Sequence, residues 1–442
     1  MSFIADKQTL EDLNMLGKYK QQSIFSLFNK VITTGAEKLL ENMFKNPLDD
    51  PEIINRRSAI FQYFQGKRLS FPFSNEQFSA VENYLNGLSG TNYLSSLLYL
   101  GRKKLLGVLI RDEEYGKVQY GLDQTVALLN SCKIFIDQLE EAQQHHHPFY
   151  DEILTAKNIL NDQKLEWLTE EQASMVPYTL LKTARYDHLL RLTMKAELTM
   201  VMEIFYQIDL FIAIASLAQT KGYSYARALS KDINVLTATA LKHPAIEKAV
   251  ANPVSFHQGS NMIFLTGANM AGKSTFMKAF SVNIYLAHMG FPVAAEEMAF
   301  SVKAGIYSSI NVPDNLDMGY SHFYAEVLRV KKVAEEVSDG KDLVIIFDEL
   351  FKGTNVKDAY DATLAVTAAF SEYRNCLFII STHIIEAGEV LQQQKNIQPL
   401  YLPTIMNGTV PTYTYRLQPG ISSDRHGMMI IENEGILEML EG

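Results

Sequence analysis

Nine residues constrain this chain more than any other stretch: GANMAGKST, from Gly267 to Thr275. They satisfy the pattern G-x-x-x-x-G-K-[ST] between an apolar strand-like run, MIFLTG, and a helical pattern, FMKAFSVNIYLAHMG. Glycines let the backbone wrap a phosphate with successive N–H groups turned inward, and the positive end of the following helix faces the same anion. On this reading Gly267, Ala268, Asn269, Met270, Ala271, Gly272, Lys273, Ser274 and Thr275 form a phosphate loop. Lys273 reaches the β- and γ-phosphates as a point charge, and the Ser274 hydroxyl is suited to Mg²⁺.

Two further apolar runs end in polar residues, as buried parallel strands with chemistry at their carboxyl ends do. LVIIFDE (343–349) delivers Asp348, a metal-supporting carboxylate, and then Glu349. A second acid there polarises water for in-line attack on a γ-phosphate, which a plain kinase does not require. CLFIISTH (376–383) delivers His383, placed to sense the γ-phosphate or hold that water. In GYSHFYAEV, Ser321 precedes an amphipathic stretch and reads as an N-cap. A serine-capped helix end is also an anion site, so Ser321 can serve a phosphate as well.

Composition narrows the class. The chain has 442 residues, 47% hydrophobic and 20% charged, with 40 Lys and Arg against 50 Asp and Glu. That apolar content supports more than one core, and a net charge of −10 argues against a general nucleic-acid coat protein without excluding a local basic surface. Two cysteines, Cys132 and Cys376, suit a reducing compartment. No signal peptide is read in MSFIADKQTLEDL, and the apolar run Leu210 to Ala218 is short for a membrane helix, so a cytoplasmic protein without a membrane anchor is expected. Up to about residue 220 the texture is helical and glycine-poor, and beyond it strands alternate with helices. The expected organisation is a helical unit over 1–220 and an α/β unit over 221–442. SIFSLFNKVITTGAEKLLENMF reads as one amphipathic helix or a broken pair. The stretch from Tyr186 to Gln219 has neither proline nor glycine and predicts a strut of about 45–50 Å, with Met194, Met200, Met202, Phe205, Tyr206 and Phe211 as core.

Taken together these residues resemble the DNA mismatch repair MutS family. GANMAGKST, DNLDMGYSHFYAE (314–326), DELFKGTN (348–355) and STH (381–383) match its ATPase motifs in order and spacing. HPAIEKAV (243–250) is similar to the segment before that ATPase core. NKVITTGAEKLL, NPLDDPEIINRRSAI and QIDLFIAIASLA resemble its core and lever segments. The resemblance implies a multidomain chain, with an N-terminal all-α core and lever domain followed by an α/β P-loop ATPase domain of the ABC type. It implies ATP and Mg²⁺ as ligands, Asp348 and Ser274 at the metal, Glu349 as catalytic carboxylate and His383 as switch histidine. It also implies Ser321 acting in trans across a homodimer whose two ATP sites are composite.

The chain departs from the pattern in places. The core-domain pattern comes first, and no mismatch-reading segment precedes it in this sequence, so mismatch wedging is not expected. Phe149 is not in the wedge position, Lys352 stands where arginine is usual, Phe351 where glycine is usual, and RHG (425–427) where SYG is usual. The expected function is an ATP-dependent switch on double-stranded or branched DNA. An ATP-driven protein-interaction switch without DNA contact is the alternative. The histidine run 145–147 reads as a solvated loop, Arg102, Lys103, Lys104 and Arg56-Arg57 as solvated helix faces, and Trp167 as packing at an element edge.

Overall fold

A computed structural model describes residues 3–17, 22–87, 90, 92–110, 113–141, 147–169, 178–310, 322–407, 410–422 and 439–440. The chain divides into two compact units, one of residues 1–28, 43–58 and 217–442, the other of 29–42 and 59–216.

The first unit is built on a seven-stranded sheet. Its order is Ile4–Ala5, Gly305–Ser309, Leu343–Phe347, Leu377–Ser381, Met262–Gly267, Ile397–Leu402 and Gln418–Pro419. All neighbours pair in parallel except the last. The three apolar runs read from sequence are the middle strands, and every residue of each is buried. Phe264, Ile345, Phe347, Phe378 and Ile380 share one core cluster with Val333, Val337 and Phe370 from neighbouring helices. Each such side chain contributes roughly 1.5–3 kcal/mol on burial. Register sets the site, because Phe347 pairs with both Ser309 and Ile380 while Ser381 pairs with Leu265. The carboxyl ends of these strands therefore reach one edge together.

A second sheet of four strands, ordered Arg227–Leu229, Glu297–Ser301, Leu236–Leu241 and Asn252–Phe256, was not visible in sequence. Its strands alternate buried and exposed residues, so one face is covered.

The N-terminal residues part from the boundary expected at 220/221. Residues 3–28 and 43–58 pack with the α/β unit because their aromatic side chains complete its core. Phe25, Phe28, Phe44 and Phe291 meet edge to face or tilted, with ring centroids 5.3–6.2 Å apart. Residues 44–58 also close the carboxyl end of helix Lys273–His288. Leu48 N–H donates to His288 O at 2.8 Å, Arg57 to Met289 O at 2.8 Å and Ser58 to Gly290 O at 3.1 Å. Gly290 (φ +70°) is required there, since a Cβ would meet Ile54 O at 2.9 Å. Arg57 is thus a cap rather than a solvated cation.

Among its described residues the second unit contains only helices. Phe61, Phe64, Phe78, Phe149 and Phe205 are its largest fully buried side chains. SIFSLF…NMF is the broken pair, Ile24–Phe28 and Thr34–Lys45. The acid within QIDLFIAIASLA has a structural reason: Asp209 accepts from Ile32 N, Thr33 N and the Thr33 hydroxyl at 2.7–3.1 Å. Gly35 lets the chain pass Tyr206, whose ring would lie 2.4 Å from a Cβ.

The long strut is corrected. Leu180–His188 is followed by a π-turn, Leu189–Thr193, and only then by helix Lys195–Lys221. The interruption buries Arg191, which donates to Asp187 at 2.9 Å; Asp187 also accepts from the Tyr84 hydroxyl at 3.1 Å. Met200 is 46% exposed and is not core, while the other five named positions are buried. Lys195–Lys221 is apolar and long enough to cross a membrane, yet 78% of its most apolar window is buried inside the protein, as in a core helix.

His147 stacks on Tyr63 at 4.4 Å rather than lying free in a loop; His145 and His146 lie outside the described residues. Lys103 pairs with Glu114 at 2.9 Å and covers the Tyr99 ring, so it too is not a solvated cation. Trp167 stacks on Tyr186 at 3.6 Å.

Candidate nucleotide site

Strand Met262–Gly267 is fully buried, and the chain leaves it through Gly267 at φ +144°. Met270 (φ +68°) and Gly272 (φ +102°) carry the loop into helix Lys273–His288. Gly272 is doubly required: its φ suits glycine, and a Cβ would sit 2.8 Å from the Tyr415 ring. Lys273, 5% exposed, donates to Gly267 O at 2.9 Å and Ala268 O at 3.3 Å. Its ammonium is therefore curled over its own loop. Burial lowers its pKa, and the nearby Asp348 and Glu349 oppose that shift.

Ser274 Oγ donates to Asp348 Oδ2 at 2.5 Å. Ser381, at the end of the neighbouring strand, donates to the other Asp348 oxygen. Asp348 N–H is held by Ser309 O at 3.0 Å and Glu349 N–H by Ser381 O at 3.0 Å, which locks the DE pair across three strands. Glu349 takes a left-handed conformation (φ +55°), a strained geometry of the kind found at functional turns. His383 Nε2 lies 2.5 Å from Glu349 Oε1, and Lys352 lies 3.4 Å from Oε2. The His383 hydrogen bond holds the Glu349 carboxyl down to about 2 against the effect of burial, with Lys352 and Lys273 adding to the lowering.

Beside the loop opens a pocket of about 250 Å³, lined among others by His243, Val250, Asn252, Thr275, Phe276 and Tyr415. Tyr223 fixes its HP segment by donating to Pro244 O at 2.6 Å. Asn252 donates to Tyr415 O at 2.9 Å and accepts from Leu417 N at 2.7 Å, joining strand Asn252–Phe256 to residues 415–417. Burial, aided by Lys278, lowers His243 to about 4, so it is neutral at pH 7. Sequence reasoning missed Ser381, Asn252, Tyr223 and Tyr415. Ser381 stood within a quoted motif, whereas Asn252 and Tyr415 meet across 163 residues with no local signal.

The donor set fits a hydrated divalent cation: a hydroxyl and a carboxylate oxygen lie 2.5 Å apart, with a positioned carboxylate next in sequence. Lys273, Ser274, Asp348, Glu349 and His383 converge at one sheet edge as expected. Ser321 lies outside the described residues, as does RHG (425–427). Phe351 is buried against Phe323 at 6.1 Å, and a Cβ on Gly353 would meet Phe323 N at 2.9 Å. The DELFKGT loop therefore packs on the first turn of helix His322–Ser338. Residues 263–440 match the family model described as MutS domain V.

Proposed function

We propose that the chain is a Mg²⁺-dependent ATPase that works as a homodimer with composite sites and switches its grip on double-stranded or branched DNA. The observation that carries this is the convergence of Lys273, Ser274, Asp348, Glu349 and His383 at the edge of the parallel sheet. In this reading residues 217–442, with 1–28 and 43–58, form a P-loop ATPase domain of the ABC type, and the helical residues 29–42 and 59–216 form the core and lever.

Lys273 and the N–H groups of Gly267 to Thr275 bind the phosphates. The Lys273 ammonium leaves its loop carbonyls to do so. Ser274 and Asp348 would hold Mg²⁺, which supplies charge neutralisation on the phosphate oxygens when bound. Glu349 is ionised and orients water, and His383 fixes the direction of its carboxylate. Ser321 of a second copy completes the anion site. The pocket of His243, Asn252, Phe276 and Tyr415 takes the nucleoside. ATP binding closes the dimer, hydrolysis reopens it, and the helix Lys195–Lys221 transmits the motion.

A second reading, an ATP-driven protein-interaction switch, has its own support. Helix Tyr93–Ile110 exposes Leu94, Leu98, Leu105 and Leu109, each at least 60% exposed and on one face. Acids also outnumber bases over residues 59–216. Steady-state ATP turnover, alone and with homoduplex, mismatched and branched DNA, separates the two. DNA-dependent turnover that Glu349→Gln abolishes supports the first, with affinity falling steeply as salt rises. Turnover indifferent to every DNA refutes it and leaves the second.

A further inference from the structure

Strand Gly305–Ser309 lies between two neighbours of unequal length. Leu343–Phe347 pairs along all of it, from Gly305 to Ser309. On the other side Ile4–Ala5 pairs only with Gly305 and Ile306. The chain then turns, Asp6 caps helix Lys7–Asp12, and side chains take over the open edge. Thr9 Oγ1 accepts from Ser308 N–H at 3.0 Å, and Arg329 donates to Ser308 O at 2.6 Å. One Asp12 oxygen accepts from the Ser308 hydroxyl at 2.7 Å and from Ile310 N–H at 2.9 Å. Arg329 is itself held by Thr9 at 3.2 Å and Asp6 at 3.1 Å. Thr9, Asp12, Ser308 and Arg329 are all at least 93% buried.

Buried backbone groups require partners, and a longer edge strand would have supplied them. The side chains add a fixed position, because the single Asp12 oxygen grips the residue before Ser309 and the residue after it. Ser309 turns its own carbonyl to the opposite neighbour, where it accepts from Asp348 N–H at 3.0 Å. That bond follows Phe347, the last paired residue of its strand. Ser274 and Ser381 hold the Asp348 carboxylate, but its backbone lies where Ser309 places it. We propose that Asp12 is a positioning residue for Asp348, acting through the Ser309 carbonyl, with Thr9 completing the clamp. The proposal rests on the reading above in which Asp348 supports Mg²⁺. The N-terminal segment then tunes the metal site of its own subunit from about 300 residues away in sequence.

The test measures affinity for a fluorescent, non-hydrolysable ATP analogue, N-methylanthraniloyl-AMPPNP, with Mg²⁺ and again with EDTA. The ratio of the two affinities isolates the metal. Asp12→Ala removes the clamp, and Thr9→Val removes one acceptor at nearly constant volume. Groups that orient a metal ligand are worth roughly 10- to 100-fold in metal affinity, so Asp12→Ala should cut the Mg²⁺-dependent gain by about tenfold while the EDTA affinity stays within about twofold. Thr9→Val shrinks the gain in the same direction, and Asp12→Asn, which still offers an acceptor oxygen, falls between Asp12→Ala and wild type. Hydrogen exchange follows the route: the Asp348 amide exchanges faster in Asp12→Ala, whereas strand Leu377–Ser381 keeps its protection. Asp348→Asn is the control for the metal reading and loses the gain. If that control behaves and Asp12→Ala keeps the wild-type ratio, or loses affinity equally with EDTA, the proposal is overturned while the metal reading stands. If Asp12→Ala does not fold, Thr9→Val decides by the same ratio. If wild type gains nothing from Mg²⁺, or Asp348→Asn gains as much, the metal reading falls and the proposal with it.

Discussion

Ser381→Ala tests whether the sheet edge aims Asp348 at a metal. Ser381 is fully buried, and its hydroxyl donates to the Asp348 oxygen not taken by Ser274. Alanine removes that charge-assisted bond and leaves Glu349 N–H its bond to the Ser381 carbonyl, so the backbone keeps its path. A hydrogen bond to a charged group is worth about 1.5–3 kcal/mol. If most of that energy orients Asp348, the expected loss is about 10- to 100-fold in apparent Mg²⁺ affinity, since 1.4 kcal/mol is a factor of ten. Global stability falls less, by about 1 kcal/mol, because Asp348 is only half-buried and water replaces part of the contact. The assay is ATP turnover titrated with Mg²⁺ at saturating ATP. The half-saturating concentration rises at least tenfold, most of the rate returns at high Mg²⁺, and Ser381→Thr, which keeps the hydroxyl, stays near wild type. An unchanged Mg²⁺ requirement, or a rate that no Mg²⁺ concentration restores, refutes the argument.

Other perturbations read different parts of the molecule. Gly272→Ala forces a Cβ onto the Tyr415 ring and a left-handed φ on alanine, so stability drops by about 1–2 kcal/mol and nucleotide affinity falls. Adding Tyr415→Ala relieves the clash but not the backbone term, which a double-mutant melting series resolves. Tyr285→Phe deletes a buried donor to Phe44 O, at 2.6 Å, and lowers the melting temperature by an amount equivalent to about 1 kcal/mol. His288 is fully buried, its Nδ1 is 2.8 Å from Leu48 O, and burial depresses it to about 3. A depressed histidine favours the neutral form in the fold. Its stabilisation is complete above the ordinary value near 6.5 and is lost as pH falls toward 3. The melting temperature of wild type should decline through that window, and His288→Phe should flatten the decline.

The parts of the site legible in sequence were those whose signals are local. A nine-residue loop, an apolar run ending in two acids and another ending in STH each carry their own evidence, and parallel pairing did the rest by aligning strand ends. What stayed hidden depended on partners far along the chain. Ile4–Ala5 is too short to show any periodicity, yet it extends the sheet, and its neighbours hold Ser308 and Arg329 from about 300 residues away. Asn252–Phe256 alternates, but over five residues with a proline in second place it gave no strand signal. The strut read as continuous because neither glycine nor proline marks 186–219. The break at Leu189–Thr193 follows instead from burying Arg191 on Asp187.

The same distinction bears on the client. No described residue between 92 and 169 lies in a strand, so a DNA contact by these described residues would come from helices and the turns that join them. Helix faces bind a phosphate backbone only if unpaired cations are clustered on them. Lys103 and Lys117 in this region instead share Glu114, at 2.9 and 3.1 Å, while four leucines face outward on helix Tyr93–Ile110. Charge already neutralised within the unit weakens a salt-sensitive grip, and an exposed apolar stripe strengthens the case for a protein at that surface. The DNA reading therefore leans on the match of residues 263–440 to MutS domain V, and the protein reading on the physical character of the helices. A salt titration of DNA binding by wild type and Leu98→Ser/Leu105→Ser, which adds no charge, discriminates them: salt-sensitive DNA binding that the substitutions leave unchanged supports the DNA reading, and no salt-sensitive DNA binding by either protein refutes it.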